Sequence, residues 1–177
     1  MFFRESSNML KKVTFLISIL LFTACSSITH KKPALLSSNK TYAIASFWNY
    51  TETPMAGLRA ASIVESVLSK QNIAIHSLID GSDDITLKKS KKDLFTIQKE
   101  KAKSMKADYL ITGNVQEWQY KTGIDAEPVV SYTIKVIDLS NNNIIFNAVG
   151  AKSAWGHKSI GVVAQEIAKD LIPQFIN

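Results

Sequence analysis

The chain has 177 residues, with 21 lysines and arginines against 15 aspartates and glutamates, a formal net charge of +6 and one cysteine. This length accommodates one domain of ordinary size, or one domain with a tail. A single cysteine excludes a disulfide framework, a zinc site built from several thiolates and a CxxC redox pair.

The N-terminal segment, residues 1–24, predicts a secretory signal peptide. Arg4, Lys11 and Lys12 precede an apolar run over residues 13–22, and small residues follow that run. The run is too short to span a bilayer, which needs about 20 apolar residues. We therefore expect this segment to be removed from the mature protein.

The lone cysteine lies at the end of this segment, where residues 21–25 (LFTAC) resemble a bacterial lipobox. In such a motif Cys25 is acylated and the chain is cleaved before it, although leucine is commoner at the position of Phe22. The alternative is an ordinary cleaved signal with an incidental cysteine. Ser26 follows in place of an aspartate, which in enteric-type bacteria is typical of sorting to the outer membrane. We predict a lipid anchor at Cys25, on the periplasmic face of the outer membrane, that needs no transmembrane helix.

Residues 25–40 predict the lipid anchor followed by a flexible tether. After the cysteine this stretch contains four serines, a proline and three lysines, but no acidic residue and no hydrophobic period. A linker of this composition, about 15 residues long, reaches some tens of Å. The folded domain is therefore predicted to cover residues 41–177.

The domain is predicted to be a single α/β unit with the element order β-α-β-α-β-β-β-α. The elements follow from apolar runs, from apolar residues at three-to-four spacing and from capping residues. In chain order they are a strand at 42–49, a helix that starts at the cap Thr53 and Pro54, a strand at 73–79, a helix over 94–105, strands at 109–120, 129–138 and 143–151, and a helix capped by Ser159. This order favours a mixed sheet of about five strands with three packed helices.

The net positive charge of the chain comes from three short segments. The signal peptide carries a net +2, the tether +3, and residues 88–106 carry +6 from eight lysines against two acids. The rest of the domain has seven basic and twelve acidic residues, a net charge of −5. The sequence leaves open whether the lysine-rich helix is a solvated face or a contact for anionic lipid or an acidic neighbour. Since no nucleic-acid-binding motif is present, no nucleic-acid partner is predicted.

Patterns typical of enzymes are absent from the sequence. There is no nucleophile elbow, HExxH, dinucleotide-binding or P-loop motif. The histidines are not at metal-ligand spacing from one another, so neither a metal nor a cofactor is predicted. Asp125 and Glu127 lie in a predicted loop, where nothing sets the carboxylate separation that a glycosidase needs. The sequence therefore predicts a protein that is not an enzyme.

Trp155 stands in a polar loop before the last helix, between Lys152 and Lys158. An exposed tryptophan flanked by lysines on a lipid-anchored protein is typical of an interfacial membrane contact, where the indole lies among the headgroups. From the residues alone, a tryptophan lid over the core is an equal alternative.

Four segments carry a resemblance to a known family. Residues 52–59 (ETPMAGLR), 112–128 (TGNVQEWQYKTGIDAEP), 136–139 (VIDL) and 150–155 (GAKSAW) resemble PelC, the outer-membrane lipoprotein of the Pel exopolysaccharide export machinery. The likeness covers roughly residues 42–172, which is nearly the whole predicted domain. The predicted lipobox and tether agree with it.

The resemblance implies a homo-oligomeric ring that works in polysaccharide transport and biofilm matrix formation. Such a ring would gather a cationic, partly deacetylated amino-sugar polymer and guide it to the outer-membrane porin of the export system. Matched by position, Trp155 would belong to a membrane-contacting belt, and Asp125 and Glu127 would be candidates for an acidic pore surface. Cyclic symmetry would turn a modest acidic patch into a negative funnel, and screened contacts of about 1 kcal/mol or less each would release the polymer easily. The lysine-rich helix is then expected to face outward or toward lipid, or to pair with the acids of a neighbouring subunit.

Two alternatives belong to other classes of protein. A monomeric lipoprotein that binds and activates a cell-wall synthase would share the anchor and the fold. A small exopolysaccharide hydrolase would instead use Asp125 and Glu127 as its acid and base.

Overall fold

Seven β-strands and three α-helices make up the part of the chain that the computed structural model describes, residues 26–30, 39–71, 73–81, 90–122, 126–155 and 157–174. The strands are β1 (Ser26–His30), β2 (Thr41–Ala45), β3 (Trp48–Asn49), β4 (Ala74–Leu78), β5 (Tyr109–Tyr120), β6 (Pro128–Asp138) and β7 (Ile144–Ser153). The helices are α1 (Ala56–Leu68), α2 (Lys91–Ser104) and α3 (Ile160–Leu171), and 3-10 turns follow α1 and α3 at Ser69–Gln71 and Ile172–Gln174. The predicted α/β class with a mixed sheet and three helices is confirmed, and β1 and β3 add to the five strands expected.

The strands form one mixed sheet in the order β1-β7-β6-β5-β2-β4, with the short β3 paired to β5. Pairing is antiparallel between β1 and β7, between β7 and β6 and between β6 and β5. Strand β2 is parallel to both β4 and β5. Because β4 and β5 lie on opposite sides of β2, right-handed crossovers place α1 and α2 on opposite faces of the sheet.

The larger core lies between the sheet and the pair α1 and α3. The Tyr132 hydroxyl donates a 2.8 Å hydrogen bond to the carbonyl of Ala164, which ties the centre of β6 to α3. A Cβ on Gly150 would collide with Ile167, so a glycine here allows α3 to approach β7 closely. The three-to-four spacing of apolar residues predicts one buried stripe on α1. In this core Ala60, Val64, Val67 and Leu68 of that stripe are buried, and Ile63 is half-buried.

A smaller core lies under α2 on the other face. It is built from small and aliphatic side chains, namely Ala43, Ala45, Leu78, Ala102, Ala107, Leu110, Ile137 and Leu139. The spacing of apolar residues predicts an inner face of Leu94, Ile97, Ala102 and Met105 for this helix. Leu94 and Ala102 are buried as expected, but Ile97 and Met105 are exposed and Gln98 is buried instead. Most of the surface of α2 faces solvent, so the helix contains few apolar residues. The spacing of so few apolar residues does not define which side of the helix faces inward.

Part of the predicted flexible tether is a strand. Ser26–His30 forms β1 and pairs antiparallel with β7, from Ser26 opposite Lys152 to His30 opposite Ala148. The edge of β7 would otherwise present a row of unpaired backbone groups, and pairing with β1 satisfies them. Residues 1–25, which include the predicted signal peptide and Cys25, lie outside the described residues.

Two predicted helix starts have different outcomes. Ser159 caps α3 as expected, since its hydroxyl accepts a hydrogen bond from the Val162 amide. Thr53 does not cap α1, because Met55 in a left-handed conformation (φ 62°) occupies that position. The Thr53 hydroxyl instead donates to the carbonyl of Trp118 and fixes the approach to α1 against β5.

Candidate membrane-contact site

The site lies at the end of the sheet where β5 ends, β6 begins and β7 ends. Tyr120 pairs here with Pro128, and the Ala154 amide donates a 3.1 Å hydrogen bond to the carbonyl of Pro128. The loop that carries Trp155 therefore leaves the sheet directly beside the β5–β6 hairpin. We call this region the Trp155 end.

Trp155 projects from a closed turn, with 55% of its surface exposed. Its carbonyl accepts a 3.0 Å hydrogen bond from the Lys158 amide, and the next residue, Ser159, caps α3. A side chain this exposed does not form a lid over the core. The geometry instead presents an amphipathic indole to the surroundings, which suits a membrane interface.

The two lysines that flank Trp155 converge on Glu166 of α3. The Lys158 ammonium donates to Oε1 at 2.7 Å, and the Lys152 ammonium lies 2.6 Å from Oε2 in an ion pair whose direction is poor for a hydrogen bond. These ammonium groups, that of Lys152 above all, hold the pKa of the Glu166 carboxyl below its usual range. The Lys152 side chain is only 20% exposed and pairs with Glu166, and its predicted contact with lipid stays a prediction.

Sequence reasoning missed Glu166, although one signal pointed to it. Glu166 is the single acidic residue within the first two turns of α3, next to the buried stripe of Val163 and Ile167. Lys158, eight residues earlier, is the nearest lysine on the N-terminal side of Glu166. The resulting group, Lys152, Glu166 and Lys158, is here called the Glu166 clamp, because it joins β7 and the loop to α3.

Tyr120 is a second residue at this end that the sequence did not single out. Its hydroxyl accepts a 3.1 Å hydrogen bond from the Ile160 amide, one of the free amides in the first turn of α3. Tyr120 as a whole is 48% exposed. Two exposed aromatic side chains, Tyr120 and Trp155, therefore stand at the same end of the sheet.

The two acids predicted for a pore surface are not equally described. Glu127 closes the β5–β6 hairpin, where its carboxylate forms a 3.1 Å ion pair with Lys121 and its carbonyl accepts from the Lys121 amide. This pair offsets the charge of Glu127. Asp125 lies outside the described residues, so its distance from Glu127 is not defined.

Strand β1 brings the predicted lipid anchor to this end. Ser26, the residue bonded to Cys25, is opposite Lys152 in the ladder with β7. The chain therefore enters the sheet at the Trp155 end immediately after the predicted lipidated cysteine.

Other chemistry is not evident in the described residues. They contain no group of three or more potential metal ligands, and His76 and His157 are both exposed on the surface. None of the described helices, the longest of which has 14 residues, is long and apolar enough to cross a membrane.

Comparison with known proteins gives matches among solved structures. A PelC dodecamer from Paraburkholderia phytofirmans is 30% identical over 86% of this chain and 99% of its own, with a TM-score of 0.72. A single-residue variant of that PelC dodecamer is 32% identical over 86% of this chain and 100% of its own, also with a TM-score of 0.72. Lipoprotein GNA1162 from Neisseria meningitidis shares the fold alone, at 13% identity over 76% of this chain and 96% of its own, with a TM-score of 0.55. No family model matches the chain, and no curated protein matches it.

Proposed function

Since this chain belongs to the PelC family, we propose that it is a lipid-anchored component of Pel exopolysaccharide export that assembles as a ring on the periplasmic face of the outer membrane. The observation that carries the proposal is the match to PelC dodecamers over the full length of those chains. The exposed Trp155 and the entry of the chain at Ser26 support an orientation in which the Trp155 end meets the lipid.

The Glu166 clamp gives this contact a rigid base. An exposed indole contributes more to membrane binding when its loop is already ordered, because no free energy is then spent on ordering the loop at the membrane. The ion pairs of Lys152 and Lys158 with Glu166, together with the Ser159 cap, hold the loop before it meets the membrane. In this role Lys152 positions the loop, and Lys158, which is 40% exposed, can also reach headgroups.

The ring would gather a cationic polysaccharide and pass it to an outer-membrane porin. Outside the tether and residues 88–106, the domain carries a net charge of −5, and a ring repeats that charge once per subunit. Each contact with a protonated amino sugar is screened and weak, so a polycation is concentrated without being held. The protein has no catalytic role in this proposal.

The oligomeric state tests the ring. Light scattering after size exclusion of the Cys25→Ser protein, which lacks the anchor, is expected to give a single species of many subunits. A stable monomer at high concentration would favour the alternative of a lipoprotein that activates a cell-wall synthase.

The acidic surface is tested by polymer export. Asp125→Asn is expected to lower export more than Glu127→Gln, because Lys121 already offsets the charge of Glu127. Glu65→Gln on α1 is the matched control, because it also removes one acidic charge but lies far from the hairpin. Turnover of purified polymer that both hairpin variants abolish would instead establish the hydrolase alternative.

A further inference from the structure

Helix α2 borders a groove on the face of the sheet opposite α1 and α3. The groove has a volume of about 180 Å³ and lies between α2 and strands β5, β6 and β7. Its apolar lining includes Leu94 and Phe95 from the helix, Trp48 from β3, and Ile137 and Ile144 from β6 and β7. Ile144 is 54% exposed, so part of this apolar surface faces solvent.

Two lysines stand at the groove. Lys135 projects from β6 and forms no ion pair with any residue in the described part of the chain. Lys91, at the start of α2, lies 4.5 Å from the ring centroid of Tyr50 and donates a hydrogen bond to its hydroxyl. Both ammonium groups are therefore set beside an apolar cavity without a described carboxylate partner.

The positive charge continues along α2 beyond the groove. Lys91, Phe95, Lys99 and Lys103 follow one another at intervals of four residues, so they form one row along the helix. Lys91 and Phe95 line the groove with Lys135 of β6, and Lys103 borders a second, polar cavity with Asp108 and Asp138. The row is about 18 Å long.

The acids near this row are already engaged. Asp108 pairs with Lys40 at 3.0 Å, and Asp138 accepts hydrogen bonds within its own turn from Ser140 and Asn141. Glu100 reaches Lys103 at 3.8 Å, between two exposed side chains, which is a weak ion pair. Most of the charge of α2 is therefore available to a partner.

We propose that this groove and the lysine row of α2 bind an acidic protein segment that inserts one large apolar side chain between Lys91 and Lys135. The cavity is smaller than the pockets of about 300–1,000 Å³ that hold drug-sized ligands, and it suits a single side chain. The row of charge extends well past the cavity, which favours a polypeptide over a small anion. Apolar anchors surrounded by charged residues are typical of protein–protein contacts.

The position of α2 in the fold argues against lipid as the occupant. Strand β5 runs from Tyr109, beside the C-terminal end of α2, to Tyr120 at the Trp155 end, and the groove lies beside Thr112, Gly113 and Asn114, about 20 Å before Tyr120. If the Trp155 end meets the membrane, the groove stands about 20 Å from the lipid and the lysine row continues away from it. This step rests on the proposed function, whereas the groove, its lysines and the row do not. A cationic polymer is excluded as occupant because the lysines repel it.

A labelled peptide tests the proposal. The lipidated protein in an uncharged detergent is titrated against a fluorescein-labelled peptide with one leucine flanked by glutamates, and anisotropy measures the affinity. Lys91→Gln/Lys135→Gln is expected to weaken binding about tenfold, since each of two partly exposed charge pairs contributes a few-fold in affinity. Lys70→Gln/Lys169→Gln, which removes the same charge elsewhere, is expected to change it less than twofold. Replacing the leucine of the peptide by alanine should weaken binding several-fold.

Several outcomes would overturn the proposal. Equal losses in the two double variants, no effect of the leucine, or no binding of the peptide would each do so. Loss of the oligomer in Lys91→Gln/Lys135→Gln would identify a second copy of this chain as the occupant. Weaker binding of that variant to phosphatidylglycerol vesicles, with unchanged peptide binding, would identify lipid.

A second variant and a separate readout keep the result interpretable. Lys91→Gln/Lys99→Gln changes only α2 and leaves the sheet intact, and it is expected to weaken peptide binding by a similar factor. Because peptide binding requires neither polymer nor membrane, its failure leaves the ring and the export role untouched, and the reverse also holds.

Discussion

The lysines of the Trp155 end and the lysines along α2 have opposite structural roles. At the Trp155 end, Lys152 and Lys158 both pair with Glu166, and Lys152 is mostly buried. Along α2, Lys92 and Lys99 form no ion pair with any described residue. Lysine therefore holds a loop by ion pairs at the Trp155 end, whereas along α2 its charge is available to a partner. A count of charges along the sequence does not distinguish these roles, because the acid that pairs with the loop lies on another element.

The largest expected effect concerns the lipid anchor proposed at Cys25. Cys25→Ser removes the cysteine that the lipobox acylates, so the protein should disappear from the outer-membrane fraction. Immunoblotting of separated fractions measures this change. Retention of the variant in the outer membrane would contradict the lipid anchor.

Breaking the Glu166 clamp tests whether those lysines are structural. Glu166→Gln leaves the mostly buried Lys152 without its counter-charge and is expected to lower the free energy of unfolding by about 1–3 kcal/mol. Glu65→Gln, a matched change at a half-buried acid on α1, should cost less than about 0.5 kcal/mol. Urea denaturation measures the free energy of unfolding of both variants. Equal losses would show that the Glu166 clamp does not contribute to stability beyond the loss of one acidic charge.

The pH dependence of stability is a second test of the Glu166 clamp. Interaction with the lysines lowers the folded-state pKa of Glu166, so its stabilising contribution is present above the unfolded value near 4.5 and is lost as the pH falls through the folded value. The stability of the wild-type protein should therefore fall below about pH 5 more steeply than that of Glu166→Gln. Thermal unfolding between pH 7 and 3 measures this, and parallel curves would contradict it.

Trp155→Ala separates the membrane contact from the fold. The exposed indole is expected to contribute about 1.5 kcal/mol to membrane binding, so its loss should lower vesicle binding of the unlipidated protein about tenfold. Stability should change little, because the side chain packs on little else. Tyr50→Ala is the matched control, since Tyr50 has the same exposure beside α2, 56% against 55%. Equal losses in both variants would remove Trp155 from the contact.

The smallest effect is expected at α2. Lys92 lies in the first turn of α2, where the helix dipole disfavours a positive charge. Lys92→Gln should therefore raise the free energy of unfolding by about 0.3 kcal/mol, whereas Lys152→Gln should lower it. Chemical denaturation of the two variants compares the same substitution at the two ends, and a loss of stability in Lys92→Gln would show a hidden partner.

Much of the fold could be predicted because local patterns and tertiary packing agree. The stripe of α1, the Ser159 cap and the three long strands were all visible in the order of apolar and capping residues. The start of α1 was predicted wrongly because Thr53 and Pro54 have the composition of a helix start. The Thr53 hydroxyl instead bonds the carbonyl of Trp118, a partner 65 residues away that no local pattern reveals.

The candidate site, like the fold, was only partly predictable from the sequence. The sequence alone singled out Cys25, Trp155 and the lysine-rich helix, since each is marked by neighbouring residues in the chain. Only the tertiary structure decided that Lys152 and Lys158 pair with Glu166, that Tyr120 meets the start of α3, and that β1 enters at the Trp155 end. The physical reason is that ion pairs, caps and strand pairing depend on distances in space, which the sheet sets between residues far apart in sequence.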